Sequence, residues 1–319
     1  MTIAVLPVTR AYELTDQPMA NRWLIDELWA DQAVGLIGGE PKCCKSFLAL
    51  EIAVAVASGR PCLGQFAVPK AGKVLLYAAE DALSVVRRRI EGIAARAAVD
   101  FPSLDIQVIT EPVLRLDRDG DAAALRRTIE ALRPSLLILD PFVRLHRIDE
   151  NNSGEVAPLL ASLRVLQRTY GLAIILVHHA KKGGAHERAG QALRGSSEFH
   201  AWGDSNLYLR RDKRERLTLT VEQRAGASRS GIALELADGG AGLGLAVVHQ
   251  SELDDAKQEA KNQGLPERII AALRGDPAPL SLRLLRERCQ SRTASICTAL
   301  ETLVSAGQVT KTPSGYALA

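Results

Sequence analysis

Gly39-Glu40-Pro41-Lys42-Cys43-Cys44-Lys45-Ser46 is the stretch that decides how the chain is read. It follows an apolar run, Ala33-Val34-Gly35-Leu36-Ile37, and precedes a helical one, Phe47 to Ala57. Strand, loop and helix in that order are the setting of a phosphate-binding P-loop, G-x-x-x-x-G-K-[ST]. Gly39, Lys45 and Ser46 fall in register, and Cys44 stands where the second glycine belongs. In such a loop backbone N–H groups wrap the phosphates, the lysine neutralises the β- and γ-oxygens, and the hydroxyl holds Mg²⁺. Lys45 and Ser46 are the candidates for those roles, within a nucleotide-binding stretch of Gly39, Glu40, Pro41, Lys42, Cys43, Cys44, Lys45, Ser46 and Phe47. The helix that begins at Ser46 turns its positive end toward the phosphates. If φ must be positive at the second-glycine position, a cysteine there costs on the order of 1–2 kcal/mol. Binding survives a penalty of that size. The adjacent Cys43 and Cys44 are read either as two ordinary thiols or as a redox pair on the loop.

Outward from the loop, strand and helix patterns alternate. Lys73-Val74-Leu75-Leu76-Tyr77-Ala78-Ala79-Glu80-Asp81 reads as a buried strand ending in two carboxylates. Helices are expected at 82–99, 122–133 and 155–169, and strands at 106–110, 135–140 and 172–177. Continuous apolar strands separated by helices predict an α/β fold with a mostly parallel sheet covered on both faces. Four later runs, 206–209, 217–221, 232–236 and 245–248, extend the sheet as hairpins. Residues 1–32 are a lead-in, whose Arg22 to Trp29 segment is expected to pack beside the nucleotide loop. The triplet Arg87-Arg88-Arg89 reads as the solvated face of its helix.

The 319 residues suit one large domain and a small one. No apolar run approaches the roughly 18 residues of a membrane span, and the N-terminus lacks a secretory pattern. A cytoplasmic protein with reduced thiols is expected, because the five cysteines form no metal-ligand spacing and no even framework. The boundaries are placed at 1–249 for the large domain, 250–264 for a polar linker and 265–319 for the small domain. The small domain has seven Lys/Arg and four Asp/Glu, so it carries the whole net charge of +3. Its three helical runs are followed by Gln308-Val309-Thr310-Lys311 and Tyr316-Ala317-Leu318 around a Pro-Ser-Gly turn, the layout of a winged helix-turn-helix. Ile296, Leu300, Leu303 and Val304 are expected to form the buried face of the third helix. Arg292, Thr293 and Ser295 face outward, with Lys311 on the wing, as candidate duplex-DNA contacts. A protein-binding role for the same module stays open.

Asp140 closes an apolar strand about a hundred residues after the loop, which is the Walker B arrangement, where a carboxylate orients Mg²⁺. Glu80, at the end of the earlier strand, is the candidate general base for the attacking water. His178 and His179 stand on opposite faces of one strand, which makes them a poor metal chelate.

With these motifs in order, the chain resembles the RecA/DnaB-type P-loop ATPases. It is similar in particular to the RepA-like hexameric helicase family of plasmids and mobile elements, which is also grouped with the AAA-family ATPases. The likeness is carried by residues 38–46, Tyr77 to Asp81, Leu139-Asp140-Pro141, 144–152, Val177-His178-His179 and Leu193 to Ser197, and it spans about residues 20–240. It implies ATP and Mg²⁺ as cofactors, Glu80 as catalytic glutamate and His179 as γ-phosphate sensor. It also implies Arg224 as an arginine finger inserted into a neighbouring subunit, which requires a ring, expected to be a hexamer. Arg210 and Arg211 compete for that role. The lysine that relatives carry two residues before the finger is here Glu222. The loops 141–154 and 180–197 would line the channel, where Lys181, Lys182, Arg188 and Arg194 meet single-stranded DNA electrostatically. The expected function is a Mg-ATP-hydrolysing replicative helicase of a plasmid or mobile element. The alternatives are an ATP-switched replication regulator that does not unwind, and a nucleotide-dependent scaffold.

Overall fold

The structure, a computed structural model, describes residues 6–14, 22–179, 198–211, 216–224, 226–238, 240, 242–248, 264–276, 278–289, 291 and 293–319. The chain divides into two compact units, Met1–Val248 and His249–Ala319. The expected linker falls almost wholly within 249–263, outside the described residues.

The first unit is built on a nine-stranded sheet among the described residues. Its strands are β3 (Val34–Gly39), β4 (Val74–Ala78), β5 (Ile106–Val108), β6 (Leu136–Asp140), β7 (Ala173–His179), β8 (Ser205–Arg211), β9 (Leu217–Gln223), β10 (Arg229–Asp238) and β11 (Leu243–Val247). Their spatial order is β11-β10-β9-β8-β3-β7-β6-β4-β5. The six strands β8-β3-β7-β6-β4-β5 are mutually parallel, and β9 to β11 are added antiparallel. This is an α/β fold on a mostly parallel central sheet, as the sequence predicts.

The two faces of each central strand feed two cores. On one, Ile37, Leu76, Ile138 and Ile175 pack under α1 (Lys45–Ser58) and α2 (Leu83–Arg96). On the other, Leu36, Leu75, Leu137 and Ile174 pack under α3 (Asp119–Leu132) and α4 (Ser153–Tyr170). Strands covered on both faces read as unbroken apolar runs, which is why the alternation was visible in the sequence. α1 is buried along most of its length, from Leu48 to Val56. It ends where Gly59 takes a left-handed conformation and returns its N–H to the Ala55 carbonyl. α4 starts two residues earlier than expected because the Asn152 side chain accepts the Gly154 N–H at 3.0 Å and caps it.

One expectation is corrected at the sheet's other end. Residues 22–30 form a hairpin, β1 (Trp23–Ile25) with β2 (Trp29–Ala30). Trp29 is fully buried. A Cβ added at Gly35 would lie 3.0 Å from the Trp29 ring, and the Ala30 N–H donates to the Ser205 hydroxyl at 3.0 Å. The hairpin therefore covers the beginnings of β3 and β8, whereas the nucleotide loop leaves the end of β3.

The second unit holds α6 (Leu265–Arg274), α7 (Leu282–Cys289), α8 (Thr293–Ser305) and a hairpin of β12 (Val309–Thr312) with β13 (Gly315–Leu318). The short α5 (Glu198–Trp202) of the first unit precedes β8. Leu280 pairs with Tyr316 and ties the hairpin to the segment before α7. The core is Ile269, Leu273, Leu285, Cys289, Ile296, Ala299, Leu300, Leu303 and Val309. Val304, expected inside, is exposed, and Ala299 takes its place. Ile296, Ala299, Leu300 and Leu303 follow the i, i+3, i+4, i+7 stripe, and residue i+8 has rotated off it. No helix among the described residues is long and apolar enough to cross a membrane.

Candidate nucleotide site

The ends of four parallel strands meet at one edge of the sheet. β3 pairs Gly39 with His179, and β4 pairs Ala78 with Asp140. In open α/β sheets the crevice outside the carboxyl ends of the strands is where ligands bind. A cleft of about 310 Å³ lies there, within the size range of ligand pockets. Lys42 to Phe47 line it along one side, with Glu80, Asp81, Arg89, Asp140 and His179 around the rest. Gly39, Glu40 and Pro41 shape the loop without lining the cleft.

The loop's backbone explains its sequence. Gly39 has φ +157°, and a Cβ there would lie 2.4 Å from the Leu209 carbonyl oxygen and 2.6 Å from Cys43 Sγ, so only glycine fits. Lys42 and Cys44 both take φ 64° on either side of Cys43. Alternation of hand of this kind forms the concave nest of N–H groups that holds anions. Cys44, in place of the second glycine, adopts the left-handed conformation that glycine favours, immediately before α1. Its thiol lies 3.7 Å from an Arg211 guanidinium nitrogen at the end of β8.

Lys45 is buried, and its ammonium donates to the carbonyls of Gly39 at 3.0 Å and Glu40 at 2.8 Å. Burial lowers its pKa, opposed by Cys43 and by the Asp140 and Glu80 carboxylates. Burial likewise pushes the Cys43 thiol up, with Lys45 opposing. Asp140 opens partly to the cleft but is closely surrounded. Desolvation raises its pKa to about 6, against the lowering effect of a hydrogen bond donated by the Ser46 hydroxyl. Asp81 and Glu80 push the same way as desolvation, and Lys45 opposes. A desolvated carboxylate that accepts from the Ser46 hydroxyl suits a hard divalent cation, whose charge would favour its ionised form. Among the described residues there is no cluster of three His, Cys, Asp or Glu side chains able to hold a metal by itself. Mg²⁺ commonly completes its octahedron with substrate phosphates and water, so Ser46 and Asp140 would be a sufficient share from the protein.

His179 is half-buried against the cleft, and desolvation together with Lys45 lowers its pKa. Its neighbour His178 points the other way, stacked 4.4 Å from the Phe199 ring in the second core. Glu80 and Asp81, which sequence alone could not separate, have different partners. Glu80 Oε1 accepts from Arg144 Nε at 2.9 Å, and Asp81 accepts from Arg89.

Arg89 is a site residue that the sequence reading missed. Its helix pattern places it on a solvated face, but it lines the cleft, pairs with Asp81 and sits 4.9 Å from the Phe47 ring centre. Arg87 and Arg88 remain exposed, with Arg87 lying over the Phe101 ring.

Arg224 is outside this cleft. Its guanidinium pairs with Asp204 at 3.1 Å and donates to the Ala201 carbonyl. Ser205 pairs with Gln223, whereas Leu209 pairs with Gly39. Arg224 is therefore about five strand residues, roughly 16 Å, from the loop of its own chain. Glu222 Oε2 lies 3.7 Å from His200 Nδ1. In the second unit Thr293, Ser295 and Lys311 are exposed on α8 and the hairpin. Lys181, Lys182, Arg188, Arg194 and Arg292 lie outside the described residues.

Comparison with known proteins gives two findings. A family model described as "AAA domain" matches residues 3–185. A solved structure similar to this chain is a KaiC-like protein from the hyperthermophilic archaeon Pyrococcus horikoshii OT3. It has 16% sequence identity and a TM-score of 0.48, covering 71% of this chain and 94% of the other.

Proposed function

The chain belongs to the AAA domain family, and from that premise we propose that it is a Mg-ATP-hydrolysing, ring-forming motor on DNA, a replicative helicase of the RepA-like kind. One observation carries the catalytic part: β3, β4, β6 and β7 deliver Lys45 and Ser46, Glu80, Asp140 and His179 to one cleft. Lys45 leaves the Gly39 and Glu40 carbonyls for the β- and γ-phosphates, and the nest of N–H groups takes the phosphate oxygens. Ser46 and Asp140 hold the Mg²⁺, which neutralises phosphate charge when bound. Glu80 accepts the proton of the attacking water. His179, kept neutral by desolvation and Lys45, reads the γ-phosphate through a ring nitrogen.

Arg224 is too far from its own loop, so on this reading it completes a neighbouring subunit's site, and the assembly is a ring, in the simplest case a hexamer. Single-stranded DNA passes through the ring, held by Lys181, Lys182 and Arg194. The second unit, three helices and a hairpin with Thr293, Ser295 and Lys311 exposed, is read as a winged helix that meets duplex DNA.

ATP turnover measured with and without single-stranded DNA, alongside sizing, tests this. The motor predicts turnover that DNA stimulates in an oligomer. Turnover indifferent to DNA favours the ATP-switched regulator or the scaffold, and a monomer in the presence of ATP and DNA contradicts the ring.

A further inference from the structure

We propose that Cys43 and Cys44 are a reversible oxidation site on the nucleotide loop: peroxide joins the adjacent thiols in a disulfide, and the bridged loop no longer holds phosphate. The bridge stands on the geometry of the loop. Its effect on ATP rests on the reading above, in which the same loop binds phosphate.

Neither thiol has a part in that reading, yet both line the cleft. They differ in access. Cys43 is 2% exposed. Its sulfur turns inward, 4.0 Å from the Lys45 ammonium and 2.6 Å from where a Cβ on Gly39 would stand. Cys44 is half-buried, and its sulfur turns toward β8, 3.7 Å from an Arg211 guanidinium nitrogen. It also caps α1, at the positive end of that helix. A partly exposed sulfur beside an arginine, at a helix N-terminus, is the setting in which cysteines react. An adjacent thiol is the resolving partner that redox-sensing cysteines use. Cys62, Cys289 and Cys297 have no cysteine next to them in the chain.

In the first step the Cys44 sulfur attacks one oxygen of hydrogen peroxide. An S–O bond forms, the O–O bond breaks, and the thiol proton leaves with the other oxygen as water. The sulfur has given two electrons to the peroxide, and Cys44 is a sulfenic acid. In the second step the Cys43 sulfur attacks that of Cys44. An S–S bond forms, the S–OH bond breaks, and the hydroxyl leaves with the Cys43 proton as a second water. A small thiol reduces the bridge by exchange.

The bridge and the phosphate make opposite demands on one peptide unit. Adjacent Cα atoms across a trans peptide are about 3.8 Å apart, closer than the roughly 4.4–6.8 Å that disulfides usually span. The ring therefore contains the Cys43–Cys44 peptide, and it closes only if that peptide turns and the sulfurs leave Lys45 and Arg211. The nest needs the peptide where it is, because φ 64° at Lys42 and at Cys44, on either side of Cys43, creates the concavity. Turning it swings the Cys44 N–H out of the nest. Each state thus opposes the other, and the opposition is reciprocal. A bridge under such strain is easily reduced, which makes the change reversible.

The test treats the full chain, Cys43→Ala and Cys44→Ala with hydrogen peroxide, with and without Mg-ATP. Peptide masses report the thiols, and a fluorescent ATP analogue reports binding. We expect the parent peptide that holds both cysteines to lose two hydrogens. Nucleotide binding should weaken by about tenfold or more, within the range of coupling between sites, and dithiothreitol should restore it. ATP at about ten times its Kd should slow bridging about tenfold. Cys43→Ala should stop at a sulfenic acid on Cys44 that dimedone traps, and the affinity of Cys44→Ala should be the same before and after peroxide. A parent peptide that keeps both thiols, or whose Cys44 pairs with any cysteine but Cys43, overturns the site. A bridge that forms at the same rate with ATP present, or that leaves binding undiminished, overturns the exclusion of phosphate. If the reduced parent binds no nucleotide, the phosphate-loop reading has failed, and the peptide masses still decide the bridge.

Discussion

Replacing Cys44 by glycine and by alanine separates the backbone demand of the nucleotide loop from the chemistry of the thiol. Both variants lose the sulfur and its 3.7 Å contact with Arg211. They differ only in what the backbone accepts at φ 64°, ψ 24°. Alanine keeps the left-handed penalty of about 1–2 kcal/mol. Glycine removes it but adds about 0.5–1 kcal/mol of unfolded-state entropy. The net favours glycine by roughly 0.5–1 kcal/mol, the reverse of the order inside a helix, where alanine leads by a similar amount. For a unit of this size that is about 1–4 °C in Tm. The three tryptophans, Trp23, Trp29 and Trp202, all belong to the first unit, so tryptophan fluorescence in a thermal or urea melt reports that unit's unfolding. Melting of Cys44→Ala above Cys44→Gly would refute the left-handed assignment and, with it, the loop's likeness to a glycine-bearing P-loop. If cysteine has detuned the loop, Cys44→Gly should also turn ATP over faster than the parent, while an unchanged rate would mean the fold absorbs the strain.

Glu51, buried on α1, accepts the Leu245 N–H at 2.7 Å, and desolvation raises its pKa to about 7, opposed by that bond and by Arg96. The folded state then binds a proton that the unfolded state has released between pH 4.5 and 7, so stability falls as pH rises through that window, by up to about 3 kcal/mol from this group. Glu51→Gln should remove that component, and its stability difference from the parent in urea melts should grow in the variant's favour from pH 5 to pH 8. A difference that is the same at both pH values contradicts this. Gly39→Ala should lower stability by about 1–3 kcal/mol through overpacking against the Leu209 carbonyl and abolish nucleotide binding, as read by the melt and a fluorescent-nucleotide titration. Arg224→Ala should cost under about 1 kcal/mol, because the arginine is largely exposed, yet reduce turnover of the intact assembly by about a thousandfold or more. Full turnover with assembly preserved removes the trans finger.

The central sheet was legible because its strands are covered on both sides. The same apolar runs that pack under α1 and α4 stand out unbroken in the sequence. The strand-end carboxylates were legible for the same reason, since each closes such a run. What escaped depends on contacts between segments distant in the chain. Arg89 reads as solvated from its own helix, and only the fold brings Phe47 and Asp81 to it. Trp29 reads as a neighbour of the loop because it is close in sequence, whereas β3 carries the chain some 13–17 Å away before the loop begins. The Arg144–Glu80 pair spans 64 residues and had no local pattern to announce it.

Titration of the purified chain with Mg-ATP, followed by turnover at saturation, for the parent, Lys45→Ala and Glu80→Gln, bears most directly on the central claim. The parent should bind and hydrolyse ATP. Lys45→Ala should lose binding by at least tenfold, and Glu80→Gln should bind normally while turnover falls at least a hundredfold. A parent that binds no nucleotide, or a Lys45→Ala variant that binds as the parent does, would contradict the assignment of Gly39 to Ser46 as a working phosphate loop.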